Sequence, residues 1–374
     1  MKVAFYIPAK GGTGQYARLY ESARSLIKNN AKVYWIAPGM DSHDKDFILI
    51  KIRNGNICEA LRLIKSKIDI LIISSELDGY NLIKCINFNI FTRIVFMQRI
   101  DTLANYKFHI HNSSSFFSSI VWRVKSLIYP IVVKKFIKNI DAAVFQTPFA
   151  LKDYEKLCGD ILHKDTYILP NNSSKFWSSK SYLSTTRKDI GLESIRKRNV
   201  VAYIGNMQFY GKGVDTLIDA YDMLRKNIDS VLLLVGNIPK EFEEAIPLRI
   251  SRSPYSKDIL TLGHIENINL VFEYIDICVS ASRMDLCPNS VLESIAYEKP
   301  IIASDIEAHK FLLHYDELLF EQGNKVDLCK SMFNLLSSEH EKNKNISLVK
   351  IRKKVFSFDW SKELYNILKN ISRR

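Results

Sequence analysis

Val200 to Tyr221 reads VVAYIGNMQFYGKGVDTLIDAY, and the order of residue types in this stretch decides the fold. A β-branched and aromatic run ends at Gly205, a loop with three glycines and Lys212 follows, and a helix is predicted over Gly213–Arg225. A strand feeding a glycine loop and then a helix is the repeating unit of an α/β, doubly wound parallel sheet. The rhythm continues downstream, with strands predicted at Val231–Gly236, Ile259–Gly263, Ile277–Ser280 and Ile301–Ser304 and helices at Ile268–Tyr274 and Ser290–Tyr297. Upstream it runs separately from the first residue, through strands at Lys2–Ile7, Lys32–Ala37, Ile68–Ser74, Arg93–Gln98 and Ala142–Gln146 and helices at Gln15–Asn29 and Ile57–Ser66. Between the two series lies PNNSSKFWSSKSYLSTTR, from Pro170, rich in Ser and Asn and poor in core residues. The expectation is two Rossmann-like domains, residues 1–175 and 176–357, facing each other across a cleft about a hinge near 171–186.

A length of 374 residues suits two domains, and 47% apolar with 25% charged residues is the balance of a folded globular chain. The net charge of +13 is uneven: residues 1–170 hold 24 basic and 14 acidic side chains, residues 171–374 hold 29 and 26. An anionic partner of the first domain would be nucleic acid, an acidic lipid surface or a phosphorylated acceptor; no aromatic-basic nucleic-acid platform accompanies the charge. Six cysteines stand singly, as reduced thiols in a cytoplasmic protein do, and no zinc spacing is present. The short apolar start reads as a first strand, too brief for a signal peptide, and Phe116 to Val133 is interrupted by Arg123, Lys125 and Pro130, so no membrane span is expected. From Ile131 onward Val132, Val133, Phe136, Ile137 and Ile140 share one helical arc, with Lys134, Lys135 and Lys138 opposite. Phe116, Phe117, Trp122 and Tyr129 precede it among Arg123 and Lys125, a pattern that fits peripheral attachment to an anionic membrane surface as well as an ordinary sheet-covering helix.

In the first domain Gly11, Gly12 and Gly14 lie between strand and helix, and Gly12-x-Gly14-x-x-Ala17 fits a dinucleotide fingerprint. The nicotinamide reading also needs an acidic residue at the end of the second strand, where this chain has Ile36-Ala37-Pro38-Gly39; a tight turn or an anion-binding loop remains. Gly205, Asn206, Gly211 and Lys212 place an ammonium and N–H donors at a helix start, which suits a diphosphate leaving group, although a lysine in such a loop is also readily just solvated. Asp285-Leu286-Cys287-Pro288-Asn289-Ser290-Val291-Leu292-Glu293 opens a helix at Pro288 with carboxylates eight positions apart; they can bind the hydroxyls of a ribose or hexose, or serve as a cap and a helix-surface charge. Arg99 and Asp101, past a strand end, would orient an acceptor hydroxyl or phosphate, or steady the loop as a salt bridge. His109, His111 and His264 read as single loop histidines.

Taken in order, these segments resemble the retaining glycosyltransferases of family 4, of GT-B fold. Gly11–Gly12 is similar to that family's N-terminal loop, Leu169-Pro170-Asn171-Asn172 to its strand exit, GKGVDTLIDAY to its lysine loop and helix, and Asp285 to Glu293 to its two-carboxylate segment. Phe358-Asp359-Trp360 resembles the start of the last helix, residues 358–374, which in that fold returns to the first domain. The resemblance implies that Lys212 neutralises the donor diphosphate, Glu293 holds the nucleotide ribose, Asp285 a donor-sugar hydroxyl, and the backbone of Leu286, Cys287, Pro288 and Asn289 the sugar and phosphates. It departs from the family at Asn206, where an Arg is usual, at Asp285, where a Glu is usual, and at Gln98-Arg99-Ile100-Asp101, where many relatives have a His. The implied activity is retaining transfer from a nucleoside-diphosphate sugar to a hydroxyl of a glycan or lipid-linked glycan in polysaccharide, lipopolysaccharide or glycolipid assembly, on the inner face of the cell membrane. No cofactor and no metal are expected, there being no Asp-x-Asp pair in a strand-end loop and no His/Cys cluster for a divalent ion. A sugar-nucleotide epimerase or phosphorylase, and a non-catalytic anion- or nucleic-acid-binding protein, are the alternatives.

Overall fold

Seven short runs in the first half of the chain pair as one parallel sheet. The computed structural model describes residues 1–7, 14–37, 46–52, 64, 67–85, 91–99, 102–111, 116–159, 165–173, 192–265 and 267–373. These fall into two compact units, Met1–Pro170 with Asp359–Arg374, and Asn171–Phe358. In the first unit β1 (Lys2–Tyr6), β2 (Lys32–Ala37), β3 (Ile48–Lys51), β4 (Ile68–Ile73), β5 (Phe91–Met97), β6 (Ala142–Phe145) and β7 (Asp165–Ile168) lie in the order β3-β2-β1-β4-β5-β6-β7. Every neighbouring pair is parallel. Strands buried on both faces must be apolar throughout, and Phe5, Trp35, Ile70, Phe96 and Phe145 are accordingly inaccessible. The C-terminal helix Trp360–Arg373 belongs to this unit: Trp360, Leu364, Leu368 and Ile371 recur on one face, are all buried, and pack on the helix Gly14–Lys28 and on β4 and β5. The predicted helix Ile57–Ser66, apart from Ile64, and the hinge beyond Ser173 lie outside the described residues.

The helix Phe116–Ile137 corrects one expectation. The arc of Val132, Val133, Phe136, Ile137 and Ile140 is not a membrane face but the buried side of a sheet-covering helix. Phe136 meets Phe96 edge to face with ring centroids 5.4 Å apart, and it fills the space beside Gly79, where any Cβ would come within 2.2 Å of its ring. Tyr129 is buried as well, and Trp122 stacks on His109 at 4.1 Å, so neither ring is a free surface anchor. His109 and His111 are in the helix Thr102–His111 and not in a loop.

The second unit repeats the plan with β8 (Asn199–Ile204), β9 (Ser230–Val235), β10 (Ile259–Gly263), β11 (Ile277–Ser280), β12 (Ile301–Ser304) and β13 (Leu319–Phe320) in the order β10-β9-β8-β11-β12-β13. All of its pairs are parallel. The chain winds from β8 to one side and returns to pair β11 on the other, so the order reverses between β8 and β11. The crevice outside the carboxyl ends of two such strands is where an open α/β sheet binds its ligand. Asn171 and Asn172 belong to this unit because their side chains donate to Cys287, Asn289 and Phe358, which puts the boundary at Pro170–Asn171, slightly before the expected 175–176.

Candidate functional site

The loops that leave β8 and β11 lie side by side at this reversal. Lys212 Nζ is 2.5 Å from Asp285 Oδ2, with the two side chains 29% and 16% exposed. Each was expected to meet a ligand separately; the structure makes them each other's partner. Gly213 begins the helix Val214–Leu224 at φ 64°, and a Cβ there would lie 2.0 Å from the Ala281 carbonyl oxygen, so glycine permits this close approach of the two loops. Arg283 joins them further. Its guanidinium donates to both oxygens of Asp215 at 3.0 and 2.8 Å, to Thr216 Oγ1 at 2.8 Å and to the Phe209 carbonyl, while its backbone N–H donates to the Gly211 carbonyl at 3.0 Å. Such a planar fork cannot be reproduced by lysine.

Past Asp285 the chain is buried through Leu286, Cys287 and Pro288, and the helix Asn289–Ala296 starts with Pro288 at its cap position. Asn171 Nδ2 donates to the Cys287 carbonyl at 3.1 Å and to Asn289 Oδ1 at 2.9 Å, fixing the turn from the strand exit after β7. Glu293, in the second helical turn, is only 6% exposed, which removes the helix-surface-charge reading. Its charge adds to burial in pushing the Tyr297 phenol up to about 12. Cys278 is pushed up to about 12, chiefly by burial; a Ser294 hydrogen bond opposes the rise and Glu293 adds to it.

Beneath the Asp285 loop sits His309, fully buried. Its Nε2 meets Ser280 Oγ at 3.1 Å, and its Nδ1 lies 2.8 Å from the Ser304 carbonyl oxygen and 3.1 Å from Ser304 Oγ, which itself donates to the Ser282 carbonyl. The ring thus joins the ends of β11 and β12. Burial pushes its pKa down to about 4, against the pull of the Asp285 charge and the Ser304 carbonyl, and Lys212 lowers it further. A neutral ring with its Nδ1 proton on the Ser304 carbonyl follows. At the end of β8 Tyr203 donates to the Asn206 carbonyl at 2.7 Å, and burial followed by the Asp285 charge pushes its phenol up. Gly205 is held by its N–H on the Val235 carbonyl at 2.8 Å, and the Asn206 side chain is exposed.

Of the first-unit candidates, only Gly14 and Arg99 are among the described residues. Gly11, Gly12 and Asp101 lie outside the described residues, Gly14 is the first residue of its helix, and the Arg99 guanidinium lies 5.7 Å from the Trp360 ring. Sequence reasoning missed a different cluster there: buried Glu76, just past β4, accepts from Tyr129 at 3.1 Å, from Thr102 at 2.9 Å and from Tyr154. Burial raises its carboxyl pKa while these three hydroxyls pull it back. Arg283, Asn171 and His309 were also missed as site residues; only the Pro170-Asn171-Asn172 strand exit carried a signal. Among the described residues, no group of three or more His, Cys, Asp or Glu could hold a metal ion.

Residues 198–338 match the family profile described as glycosyl transferases group 1, a segment that contains Lys212, Asp285 and Glu293. Over 99% of this chain and 100% of the other, the structure is similar to Anabaena HepE in complex with UDP and glucose, at TM-score 0.76 and 13% identity. The chain has the GT-B fold. The sucrose-phosphate synthase of Thermosynechococcus elongatus is similar to this GT-B chain at TM-score 0.75 and 14% identity, over 99% of this chain and 98% of that one. WaaG, a glycosyltransferase involved in lipopolysaccharide biosynthesis, is similar at TM-score 0.69 and 13% identity, over 99% of both. No curated protein sequence matches the GT-B chain significantly.

Proposed function

We propose that this GT-B chain is a glycosyltransferase that moves a sugar from a nucleoside-diphosphate sugar to a hydroxyl of a glycan or lipid-linked glycan, with retention at the anomeric carbon. The observation that carries the reading is the Lys212–Asp285 pair beside buried Glu293, where the strand order of the second unit reverses. A diphosphate entering there exchanges Asp285 for phosphate oxygens as the partner of Lys212. The freed Asp285 oxygens accept from donor-sugar hydroxyls, and Glu293 accepts from the ribose. As the bond from the anomeric carbon to phosphate oxygen breaks, charge grows on the leaving diphosphate, and an ammonium already positioned there stabilises the transition state more than the ground state. Retention follows from the family resemblance: the acceptor enters on the face the diphosphate leaves, and a donor phosphate oxygen takes its proton. With Lys212 and the backbone from Leu286 to Asn289 as the positive groups, transfer runs without a divalent ion.

HepE, crystallised with UDP and glucose, and WaaG, named for lipopolysaccharide biosynthesis, support a nucleotide-sugar donor and a cell-surface glycan acceptor. The test is release of nucleoside diphosphate from a panel of sugar nucleotides with and without oligosaccharide acceptors. Release that requires the acceptor is expected. Donor isomerisation without acceptor would make the chain an epimerase, and turnover that requires inorganic phosphate would make it a phosphorylase; either overturns the proposal.

A further inference from the structure

Among the described residues eight exposed large hydrophobic side chains lie on the single helix Phe116–Ile137: Phe116, Phe117, Ile120, Val121, Val124, Leu127, Ile128 and Ile131, from 40% to 82% exposed. At about 100° per residue they fill one continuous arc of about 140°. This arc lies opposite Tyr129, Val132, Val133, Phe136 and Ile137, which face the sheet. A contiguous apolar surface of this extent is rare on a monomer and marks a contact site.

The surrounding charge selects the partner. Arg123 borders one edge of the arc and Lys125 lies beyond the other, while Lys134, Lys135 and Lys138 continue the same exposed face past Ile131. No Asp or Glu occurs between Phe116 and Ile140, and the first 170 residues carry the excess of 24 basic over 14 acidic side chains. A second copy on this face would set the same five cations against one another with no acid to answer them. Lipid phosphates meet the requirement: the apolar arc enters the acyl boundary and the Lys and Arg stems reach up to the headgroups. By length and composition the helix could cross a bilayer, but crossing would take Tyr129 from Glu76 and Phe136 from Phe96. It therefore lies in the interface plane.

We propose that this face of Phe116–Ile137 docks the chain on an anionic lipid bilayer. The surface lies on the first four turns of the helix, not on the arc from Ile131 onward that periodicity alone suggests, and it is independent of the donor site.

The experiment is co-sedimentation of the full chain with vesicles of phosphatidylcholine alone or with added phosphatidylglycerol. At low salt, at least tenfold stronger binding to the anionic vesicles is expected, weakening as salt rises. Leu127→Glu with Ile131→Glu lowers binding tenfold or more on both vesicles. Reversing Lys134, Lys135 and Lys138 to Glu removes only the dependence on anionic lipid. All five positions are exposed, so the melting temperature stays within a few degrees of wild type and confirms a folded chain. A chain that stays in the supernatant with anionic vesicles at low salt overturns the proposal. So does unchanged binding by the Leu127/Ile131 variant, or a concentration-dependent dimer abolished by those substitutions without vesicle binding.

Discussion

Glu76 in the first unit and His309 in the second both sit in a helix that follows a sheet strand, both are buried, and both are held by hydroxyl groups. Their surroundings differ. The tyrosines and threonine around Glu76 complete its bonding and tie three helices to one point, whereas the serines around His309 fix the strand ends under a loop that keeps Lys212 and Asp285 partly open to solvent. The first unit spends its polar interior on packing and turns an apolar face outward. The second spends it on holding the Lys212–Asp285 pair, where the proposed chemistry takes place.

The largest test of that division is Lys212→Met. On the proposed reading it deletes the charge that acts on the leaving group, and a contact that strengthens in the transition state is worth about 2–4 kcal/mol, roughly 30- to 1000-fold in turnover. Steady-state rates within threefold of wild type would take Lys212 out of the mechanism. Next in size is Arg283→Lys, which loses the fork on Asp215 and the bonds to Thr216 and the Phe209 carbonyl. A partly exposed pair is worth less than a buried one, so a stability loss of about 1–3 kcal/mol is expected by chemical denaturation, with a raised KM for the donor as the two loops separate. An unchanged KM would show that Arg283 serves the fold alone.

These residues were not equally legible. Central strands such as Ile68–Ile73 and Ile301–Ser304 show as mainly apolar runs, interrupted only by Asp69 and Ser304, because parallel strands are covered on both faces. The edge strands Ile48–Lys51 and Asp165–Ile168 do not, since short strands with one neighbour tolerate Asp, Lys and Thr, and Leu319–Phe320 is only two residues long. Lys212, Asp285 and Glu293 stand out because glycine loops and strand ends frame them. Arg283, Asn171 and His309 act through partners far along the chain, and their pairing exists only once β8 adjoins β11 and β11 adjoins β12. Periodicity in Phe116–Ile140 reveals an apolar arc from Ile131 onward, but not that the sheet takes this arc and leaves the earlier residues outside.

If Glu293 holds the ribose as proposed, Glu293→Gln removes the charge from that hydrogen bond and should weaken donor binding about tenfold by calorimetry, with little effect on turnover at saturation. Unchanged affinity would displace Glu293 from the nucleotide. The two buried titratable groups should then give opposite pH slopes. His309, depressed to about 4, contributes stability that is complete above about 6.5 and is lost as pH falls toward 4; Glu76, raised above 4.5, contributes stability that is complete below 4.5 and is lost as pH rises. Each group contributes at most about 1.4 kcal/mol per pH unit, so His309→Gln should remove part of the rise of stability with pH between about 4 and 6.5, and Glu76→Gln should remove part of a fall of stability as pH rises above 4.5. Slope changes of the same sign in the two variants would contradict the assignment. Excess EDTA should change nothing; lost transfer restored by magnesium or manganese would require a metal in place of Lys212.

The most direct measurement is the melting temperature of wild type and Lys212→Met across a panel of nucleoside-diphosphate sugars. Ligand at 100 times its dissociation constant adds about 2.7 kcal/mol of stability, a readily measured shift. At least one donor should raise the wild-type melting temperature, and the same donor at the same concentration should raise that of Lys212→Met far less, measured from each protein's own unliganded value. A panel that leaves wild type unmoved, or a shift retained in full by Lys212→Met, would contradict a donor diphosphate held by the second unit's lysine loop.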